Sequence, residues 1–458
     1  MRFIPLWLRE GIQRSDSPLL LGVLLLYVFS LPFHRIVPVS TMKTLRLSDI
    51  LLAGLWCLFA IRIIRRQTTL RLTPVFWAAL IYIATLSVSL LQPTAHLSGA
   101  VKLAAYGSFM MLPFLLPHII TSKAALIVTV RVWMVATLFA IGIGIVGIIA
   151  YYADQEGLGR ELMCGYGGLS QKEISFPRVC SPFTNQNMFL NYLIPGICFW
   201  AVHGVNWVGK TKTLLILAAS APVALSTMST GVGGLAIALA IILIRLDPLG
   251  FMGPPIRFLK AIGVAGGAAA FALFLTFASI CTWAPLGLGD LTIGSRDINF
   301  WDGPRPAIWN SAAQTIRENP IWGRGYSEMV AHVFDPRAFT SPDKIADLPP
   351  NASSWLEGHN SWINILGQAG VVGFVGFLIL LVMMLRPLFL KNLRQELPTE
   401  VQGFVTTIAA ILIGMFGFHA LFGALEESRH LWAIFGLVSV LPFLRTQKQI
   451  QPPSSHQI

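Results

Sequence analysis

Residues 124–152 read AALIVTVRVWMVATLFAIGIGIVGIIAYY, and Arg131 is the only charged residue among them. A helix that crosses a bilayer needs about 20 mostly apolar residues, and its backbone hydrogen bonds must close within the segment. This stretch is long enough and apolar enough to be such a helix. Because similar runs recur from Leu19 to Leu444, we predict a polytopic membrane protein.

The composition of the 458 residues agrees with this prediction. Hydrophobic residues make up 55% of the chain and charged residues 12%, whereas a soluble domain carries about 25% charged residues. A soluble enzyme, a coiled coil and a disordered chain are therefore excluded. We predict twelve spans, near residues 18–33, 48–64, 73–91, 98–117, 124–152, 183–203, 212–227, 230–245, 258–281, 360–385, 402–423 and 431–446.

The distribution of positive charge predicts the orientation. Lys and Arg collect in short cytoplasmic loops, and with both termini cytoplasmic the inside segments hold 19 of the 33 basic residues. Spans 1–9 then lie within residues 1–281, spans 10–12 within 359–446, and a cytoplasmic tail covers 447–458.

The first predicted external loop lies near residues 153–182 and contains Cys164, Arg178 and Cys180. In an oxidising compartment the two cysteines could form a bridge, and two unpaired thiols are the alternative. The five cysteines, at positions 57, 164, 180, 198 and 281, form no CxxC pair. A zinc or iron–sulfur site is therefore not expected.

The second predicted external loop, residues 282–358, is too long for an ordinary connection and too aromatic for a disordered one. A helix is predicted near 306–318, because Pro306 suits a first turn and Asn319-Pro320 ends the helical pattern. We call residues 282–358 the cap. It carries nine acidic against six basic residues, so a basic patch for nucleic acid or anionic lipid is not expected.

Two residues near the cap could carry chemistry. Arg305, at a helix start, can hold an anionic group, and its structural alternative is an ion pair with Asp302 or Glu357. His359, at the mouth of the tenth span, can exchange a proton with a sugar hydroxyl, and its alternative is a ring packed at the membrane interface.

Charged residues in or beside spans are candidates for a function, because their burial in a membrane is costly. Lys102 and Arg429 are of this kind. Their structural alternatives are pairing of Lys102 with a neighbouring helix and a local ion pair between Glu426 and Arg429.

The order and spacing of several motifs resemble the O-antigen ligase and O-antigen polymerase family of polytopic membrane glycosyltransferases. The resemblance covers roughly residues 175–440. The segments that carry it are Arg305-Pro-Ala-Ile-Trp309, Asn319-Pro-Ile-Trp-Gly-Arg-Gly325, His359-Asn-Ser-Trp362, the Gly-rich run Leu366–Gly373 and Pro182-Phe-Thr-Asn-Gln-Asn187.

The resemblance implies an all-α, GT-C-like integral membrane protein of about 12 transmembrane helices with a large ordered periplasmic loop. It implies a ligase that moves a glycan from undecaprenyl diphosphate to a hydroxyl of lipid A–core, on the periplasmic face of the bacterial inner membrane. The implied partners are the polyprenyl-diphosphate-linked donor, a glycolipid or glycan acceptor and the lipid bilayer, without nucleic acid. No cofactor is implied, and since no Asp-x-Asp motif is present we expect a metal-independent reaction.

The same resemblance assigns roles to individual residues. The catalytic pair is His359, which orients or deprotonates the acceptor, and Arg305, which stabilises the departing diphosphate. The family's usual Ser-Arg-Gly reads Ser229-Thr230-Gly231 here, so its donor-phosphate arginine is absent. The alternatives are that another cation, such as Arg178, Lys102 or Arg296, takes its place or that the donor is held differently. The candidate substrate-binding residues are Arg296, Arg324, Arg178, Asn187, Asn360, Glu357 and Lys102, of which Glu357 or Asn360 would orient the imidazole.

Two other functions stay open. A polymerase of O-antigen, capsule or exopolysaccharide would use a second lipid-linked repeat unit as acceptor. A transporter or flippase of lipid-linked sugars fits the number of spans, although the two halves of the sequence show none of the similarity that is common among transporters.

Overall fold

The structure is a computed structural model. It describes residues 5–13, 15–33, 46–93, 97–153, 162, 179–183, 185–227, 231–246, 263, 290–293, 296–299, 305–333, 354–417, 420 and 428–444. The predicted ninth span, except Gly263, and the predicted tail lie outside these residues.

The described chain is mainly helical. In chain order its helices are α1 (Leu6–Gln13), α2 (Pro18–Ser30), α3 (Leu47–Ile64), α4 (Pro74–Ser89), α5 (Leu97–Met110), α6 (Leu112–Leu115), α7 (Lys123–Tyr152), α8 (Gln186–Val208), α9 (Lys210–Ser226), α10 (Gly231–Leu246), α11 (Arg305–Glu318), α12 (Ser361–Phe389), α13 (Lys391–Glu396), α14 (Thr399–Gly417) and α15 (Arg429–Val440).

Several of these helices have the length and composition of membrane spans. Within the described ranges, five segments are long and apolar enough to cross a bilayer: Leu47–Ile64, Leu97–His118, Lys123–Ala150, Gln186–Val208 and Ser361–Phe389. Five shorter apolar helices accompany them: Pro18–Ser30, Pro74–Ser89, Gly231–Leu246, Val401–Gly417 and Arg429–Phe443. The prediction of a helical, multi-pass membrane protein is therefore confirmed.

Capping residues set where the apolar helices begin. Thr73 precedes Pro74, and its hydroxyl oxygen accepts a hydrogen bond of 3.3 Å from the Phe76 N–H at the start of α4. Asn185 caps α8 by accepting 2.7 Å from the Asn187 N–H. These side chains satisfy backbone donors that the first turn of a helix leaves without partners.

The apolar helices pack around one large hydrophobic core, and α11 forms a separate small cluster with Val330 and Ala331. Helix α12 packs on α4, α10 on α14, and α8 on α7, α9 and α10. The Trp133 ring stacks on Tyr192 with 5.7 Å between centroids. Gly196 of α8 lies so close to Thr137 of α7 that any Cβ would overlap it, which explains the close approach of these two helices.

A charged pair joins the ends of two helices that are far apart in sequence. Arg429 donates to both carboxylate oxygens of Asp49, at 2.7 and 2.9 Å, and its guanidinium lies over the Phe109 ring. Glu426, the partner in the predicted local ion pair, lies outside the described residues. The described partner of Arg429 belongs to α3, which the sequence places 380 residues away.

The cap contains strands, which the all-α expectation did not include. Strands β1 (Asp290–Ile293) and β2 (Arg296–Asn299) pair antiparallel, as do β3 (Ala331–Val333) and β4 (Ser354–Leu356). Helix α11 begins one residue before the predicted start and packs on β3. Strands of three or four residues are too short to show a two-residue hydrophobic alternation, so the sequence pattern did not reveal them.

Part of the first predicted external loop is also described. Cys180 is disulfide-bonded, with a partner outside the described residues, whereas Cys57 and Cys198 are free. The Ser181 N–H donates to the Leu162 carbonyl oxygen at 3.3 Å, which brings the two sides of the loop together. The alternative of unpaired thiols is therefore wrong for Cys180.

Candidate functional site

The candidate site lies where the cap meets the start of α12. Helix α11, the turn Asn319–Gly325 and the β3–β4 pair all contact this end of α12 or the residues just before it. His359 lies at this junction, immediately before the helix.

His359 has an uncommon backbone conformation. Its φ is +46°, a left-handed value that non-glycine residues rarely adopt and that costs about 1–3 kcal/mol. The next residue, Asn360, caps α12 by accepting from the N–H groups of Trp362 and Ile363 at 2.9 and 3.1 Å. The half-buried imidazole is thus presented from a strained residue on a fixed helix start.

The residues before His359 are held by a buried amide. Asn364 of α12 is 2% exposed, and its Oδ1 accepts from the Gly358 N–H at 2.7 Å. Its Nδ2 donates to Glu357 Oε1 at 3.0 Å. Gly358 is also held at its carbonyl oxygen, which accepts from Trp309 Nε1 of α11 at 3.0 Å.

A backbone interlock joins the cap to α12, and we call it the latch. The turn Asn319–Gly325 meets a break at Gly370, where α12 has φ +63° and ψ −167°. Four hydrogen bonds of 2.9 to 3.2 Å close the latch: Arg324 N–H to Gly367, Gly325 N–H to Gln368, Val371 N–H to Pro320 and Val372 N–H to Ile321.

Glycine is required on both sides of the latch. Gly323 has φ +68°, and a Cβ there would overlap the backbone of Gln368; a Cβ on Gly370 would overlap the Ile321 carbonyl. The Gly-rich motifs of the two segments are therefore the two halves of one contact.

Arg324 projects from the latch onto the β3–β4 pair. Its Cζ lies 3.1 Å from the centroid of the Trp355 ring, and its Nη1 donates to the Met329 carbonyl at 2.9 Å. The His332 ring also stacks on Trp355, with 4.6 Å between centroids. Burial lowers the pKa of Arg324, partly offset by the Glu328 carboxylate.

Four of the predicted residues lie at the junction of the cap and α12: Glu357, His359, Asn360 and Arg324. The structure gives Asn360 the role of a helix cap, and the Glu357 carboxylate accepts from Asn364.

Other predicted residues lie elsewhere or lack a described side chain. Arg305 is the first residue of α11 and Arg296 the first of β2; only their backbones are described, and Arg178 lies outside the described residues. The Lys102 ammonium lies 5.7 Å from the centroid of the Tyr106 ring on the same helix. Asn187 lies in the first turn of α8.

Sequence reasoning missed the residues that hold the site. Asn364 and the indole N–H of Trp309 fix the residue before His359, and Gln368 Nε2 donates to the Glu328 carbonyl oxygen at 3.1 Å. One available signal was spacing, because Asn360, Asn364 and Gln368 recur every four residues on one face of a helix.

The segment just before α12 thus carries a carboxylate residue, Glu357, and an imidazole residue, His359, two positions apart, and the guanidinium of Arg324 lies on the Trp355 ring of the preceding strand. Imidazole and carboxylate suit proton transfer near neutral pH, and guanidinium groups suit phosphate.

Comparison with known proteins shows which protein family part of this chain resembles. A search of curated proteins found no match. Residues 213–378 match the family described as O-Antigen ligase, and this range contains α11, the latch, Trp309, His359 and Asn364. Residues 213–378 are therefore similar to the O-antigen ligase family, as the motifs predicted.

Proposed function

We propose that the chain is an O-antigen ligase-like glycosyltransferase. It transfers a glycan from undecaprenyl diphosphate to a hydroxyl of lipid A–core, on the periplasmic face of the bacterial inner membrane. The observation that carries the proposal is the strained backbone conformation of His359, which lies within the matched region two residues after Glu357. Backbone strain of this kind clusters at active sites.

The proposed topology has twelve spans and both termini in the cytoplasm. The segment of α12 from Val371 to Phe389 extends about 27 Å at 1.5 Å per residue, close to the ~30 Å thickness of the hydrocarbon core. The latch then lies at the outer boundary of the core. Trp322 and Ile321, which are 39% and 57% exposed, agree with that level, because Trp favours membrane interfaces.

In the proposed reaction the acceptor hydroxyl attacks the anomeric carbon of the donor. The bond from that carbon to the diphosphate oxygen breaks, its electron pair leaves with the diphosphate, and the hydroxyl proton passes to His359. Arg305, with Arg296 or Arg324, stabilises the developing negative charge. Arg305 is suited to this role because it begins α11, where the helix dipole also favours anions.

Because Thr230 replaces the family arginine, another cation must contact the donor. Arg178, Lys102 and Arg296 are the candidates. Asn187 is proposed to contact the donor glycan, and the reaction is proposed to need no metal.

The test is glycan transfer by the purified protein in lipid nanodiscs, with lipid-linked glycan, lipid A–core and EDTA. We expect undiminished transfer in EDTA and its loss in His359→Ala and in Arg305→Ala. Arg317→Ala is the matched control, because Arg317 is an exposed residue of the same helix. Full activity of His359→Ala would refute the proposed catalytic role, and a strict Mg²⁺ requirement would refute metal independence.

A deletion strain separates the ligase from the other functions. A lost ligase leaves full-length lipid-linked chains outside the membrane, whereas a lost polymerase leaves single repeat units there. A lost flippase leaves its substrate on the inner side.

A further inference from the structure

We propose that Asn364 is a positioning residue which, together with Trp309, fixes Glu357 and His359 in the arrangement needed for glycan transfer. This inference rests on the proposed function, because it assumes that His359 acts on the acceptor hydroxyl. It concerns residues that do not themselves touch the reacting atoms.

The first step of the argument is the chemistry of the Asn364 side chain. Its Oδ1 accepts from a backbone N–H and its Nδ2 donates to a carboxylate. A carboxamide is suited to this position because it combines an acceptor and a donor in a planar group. The backbone donor at Gly358 also determines which amide atom is oxygen, so the nitrogen must face Glu357.

The second step is the rigidity of the neighbouring backbone. The Gly358 N–H is bound by Asn364 and its carbonyl by Trp309. A Cβ on Gly358 would lie 2.8 Å from Asn364 Oδ1 and 3.1 Å from Val330 Cγ2, so little space surrounds this residue. A glycine held at both its N–H and its carbonyl keeps the following residue, His359, at its positive φ.

The third step is the charge around Glu357. Asn364 supplies a neutral donor to this carboxylate without adding charge. Among the described residues of α11, of the segment that follows it and of the β3–β4 pair, the charged or titratable groups are Arg305, Arg317, Glu318, Arg324, Tyr326, Glu328 and His332, and His359 follows Glu357 by two positions. Removing the donor therefore removes a neutral hydrogen bond to Glu357 and leaves the charge around it unchanged.

The decisive variant is Asn364→Asp, which keeps the shape and the acceptor for Gly358. At neutral pH it faces Glu357 with a second carboxylate. Two neighbouring carboxylates raise the pKa of the pair, and the introduced carboxyl group can donate to Glu357 only once it is protonated, as the pH falls. We therefore expect the turnover of Asn364→Asp, relative to that of the wild type at the same pH, to be lower by about 10²-fold at pH 7.5, the scale of a misplaced catalytic group. This ratio should rise toward one as the pH falls to 5.5.

Two further variants complete the test. Asn364→Leu offers neither acceptor nor donor and is expected to lose turnover at every pH. Gln314→Glu is the control for an added negative charge, because Gln314 is exposed on α11 and bonds only Glu318 among the described contacts; its pH profile should equal that of the wild type.

The outcomes distinguish the two proposals. If His359→Ala is active, the proposed function fails. If His359→Ala is inactive while Asn364→Asp keeps wild-type turnover and pH profile, the positioning role alone fails. An Asn364→Asp variant that is equally inactive at all pH values also overturns it, because a purely structural defect would not recover in acid.

Trp309→Phe keeps the test falsifiable if both Asn364 variants fail to fold. This change removes the donor to the Gly358 carbonyl and keeps an aromatic ring at the position. We expect kcat to fall about tenfold with KM unchanged, as expected when an interaction serves the transition state rather than substrate binding. An unchanged kcat, or a loss confined to KM, would overturn the proposal.

Discussion

Replacement of Gly370 by alanine should open the latch between the cap and α12. At φ +63° and ψ −167° an alanine is strained by about 1–3 kcal/mol, and its Cβ would overlap the Ile321 carbonyl. Two outcomes are possible. In the first the latch stays closed and the alanine is strained and overlaps Ile321. In the second α12 becomes a continuous helix and the hydrogen bonds of the latch are lost.

The free-energy cost of the second outcome follows from the hydrogen bonds that are lost when α12 becomes continuous. The latch contains four backbone hydrogen bonds, each worth about 0.5–1.5 kcal/mol net. Whichever of the two outcomes has the lower free-energy cost, the closed latch is destabilised by roughly 2–4 kcal/mol. In terms of equilibrium this is an increase of about 30-fold to several hundred-fold in the open population, at 1.4 kcal/mol per factor of ten.

Hydrogen–deuterium exchange in nanodiscs measures this population directly. We expect Gly370→Ala to accelerate exchange by that factor in peptides covering Arg324–Gly325 and Val371–Val372, and to lower glycan transfer. Gly403→Ala in α14 is the matched control, because no atom lies within 4 Å of the added Cβ. Exchange in Gly370→Ala within twofold of the wild type would refute the latch as a stabilising contact.

Three further predictions follow from described contacts. Asp49→Ala should destabilise the protein by about 3 kcal/mol in a thermal-unfolding assay, because it leaves a largely buried Arg429 charge without its carboxylate. The charge-swapped double variant should recover part of this loss, and an unchanged stability of the single variant would contradict a stabilising role of the ion pair. Arg324→Lys should weaken the contact with Trp355 by about 1 kcal/mol, because lysine cannot stack a planar guanidinium on the ring. The fluorescence of Trp355 is obtained by subtracting the spectrum of the Trp355→Phe variant, and an unchanged Trp355 spectrum in Arg324→Lys would contradict this prediction. Cys180→Ser should lower stability by about 2–5 kcal/mol in non-reducing buffer, and reduction of the wild type should reproduce the effect; equal unfolding temperatures would contradict it.

Much of the site was predictable as a set of pieces, although not as a contact. Apolar length and Pro306 predicted the spans and α11, and Arg305 and His359 stood out by residue type and motif order. The sequence contained no signal that Trp309 donates to Gly358 or that Asn364 bonds Glu357. These contacts depend on how α11 packs against the start of α12, across a segment of nearly 50 residues.

The pairing of charges shows the same limit. Sequence proximity pointed only to Glu426 as a partner of Arg429, whereas the folded chain also places Asp49, 380 residues away, at 2.7 Å from it. A helix start fixes its neighbours over one or two turns, whereas an ion pair between helices depends on the arrangement of the whole bundle.

The sequence by itself determined the solvent in which this protein folds, because long apolar runs can satisfy their backbone only as helices in lipid. It also determined where helices begin, since proline and capping residues act locally. Only the tertiary structure decided what the two Gly-rich motifs do. Gly323 and Gly370 are 47 positions apart in the chain, and each is needed because the backbone of the other segment occupies the space that a side chain would fill.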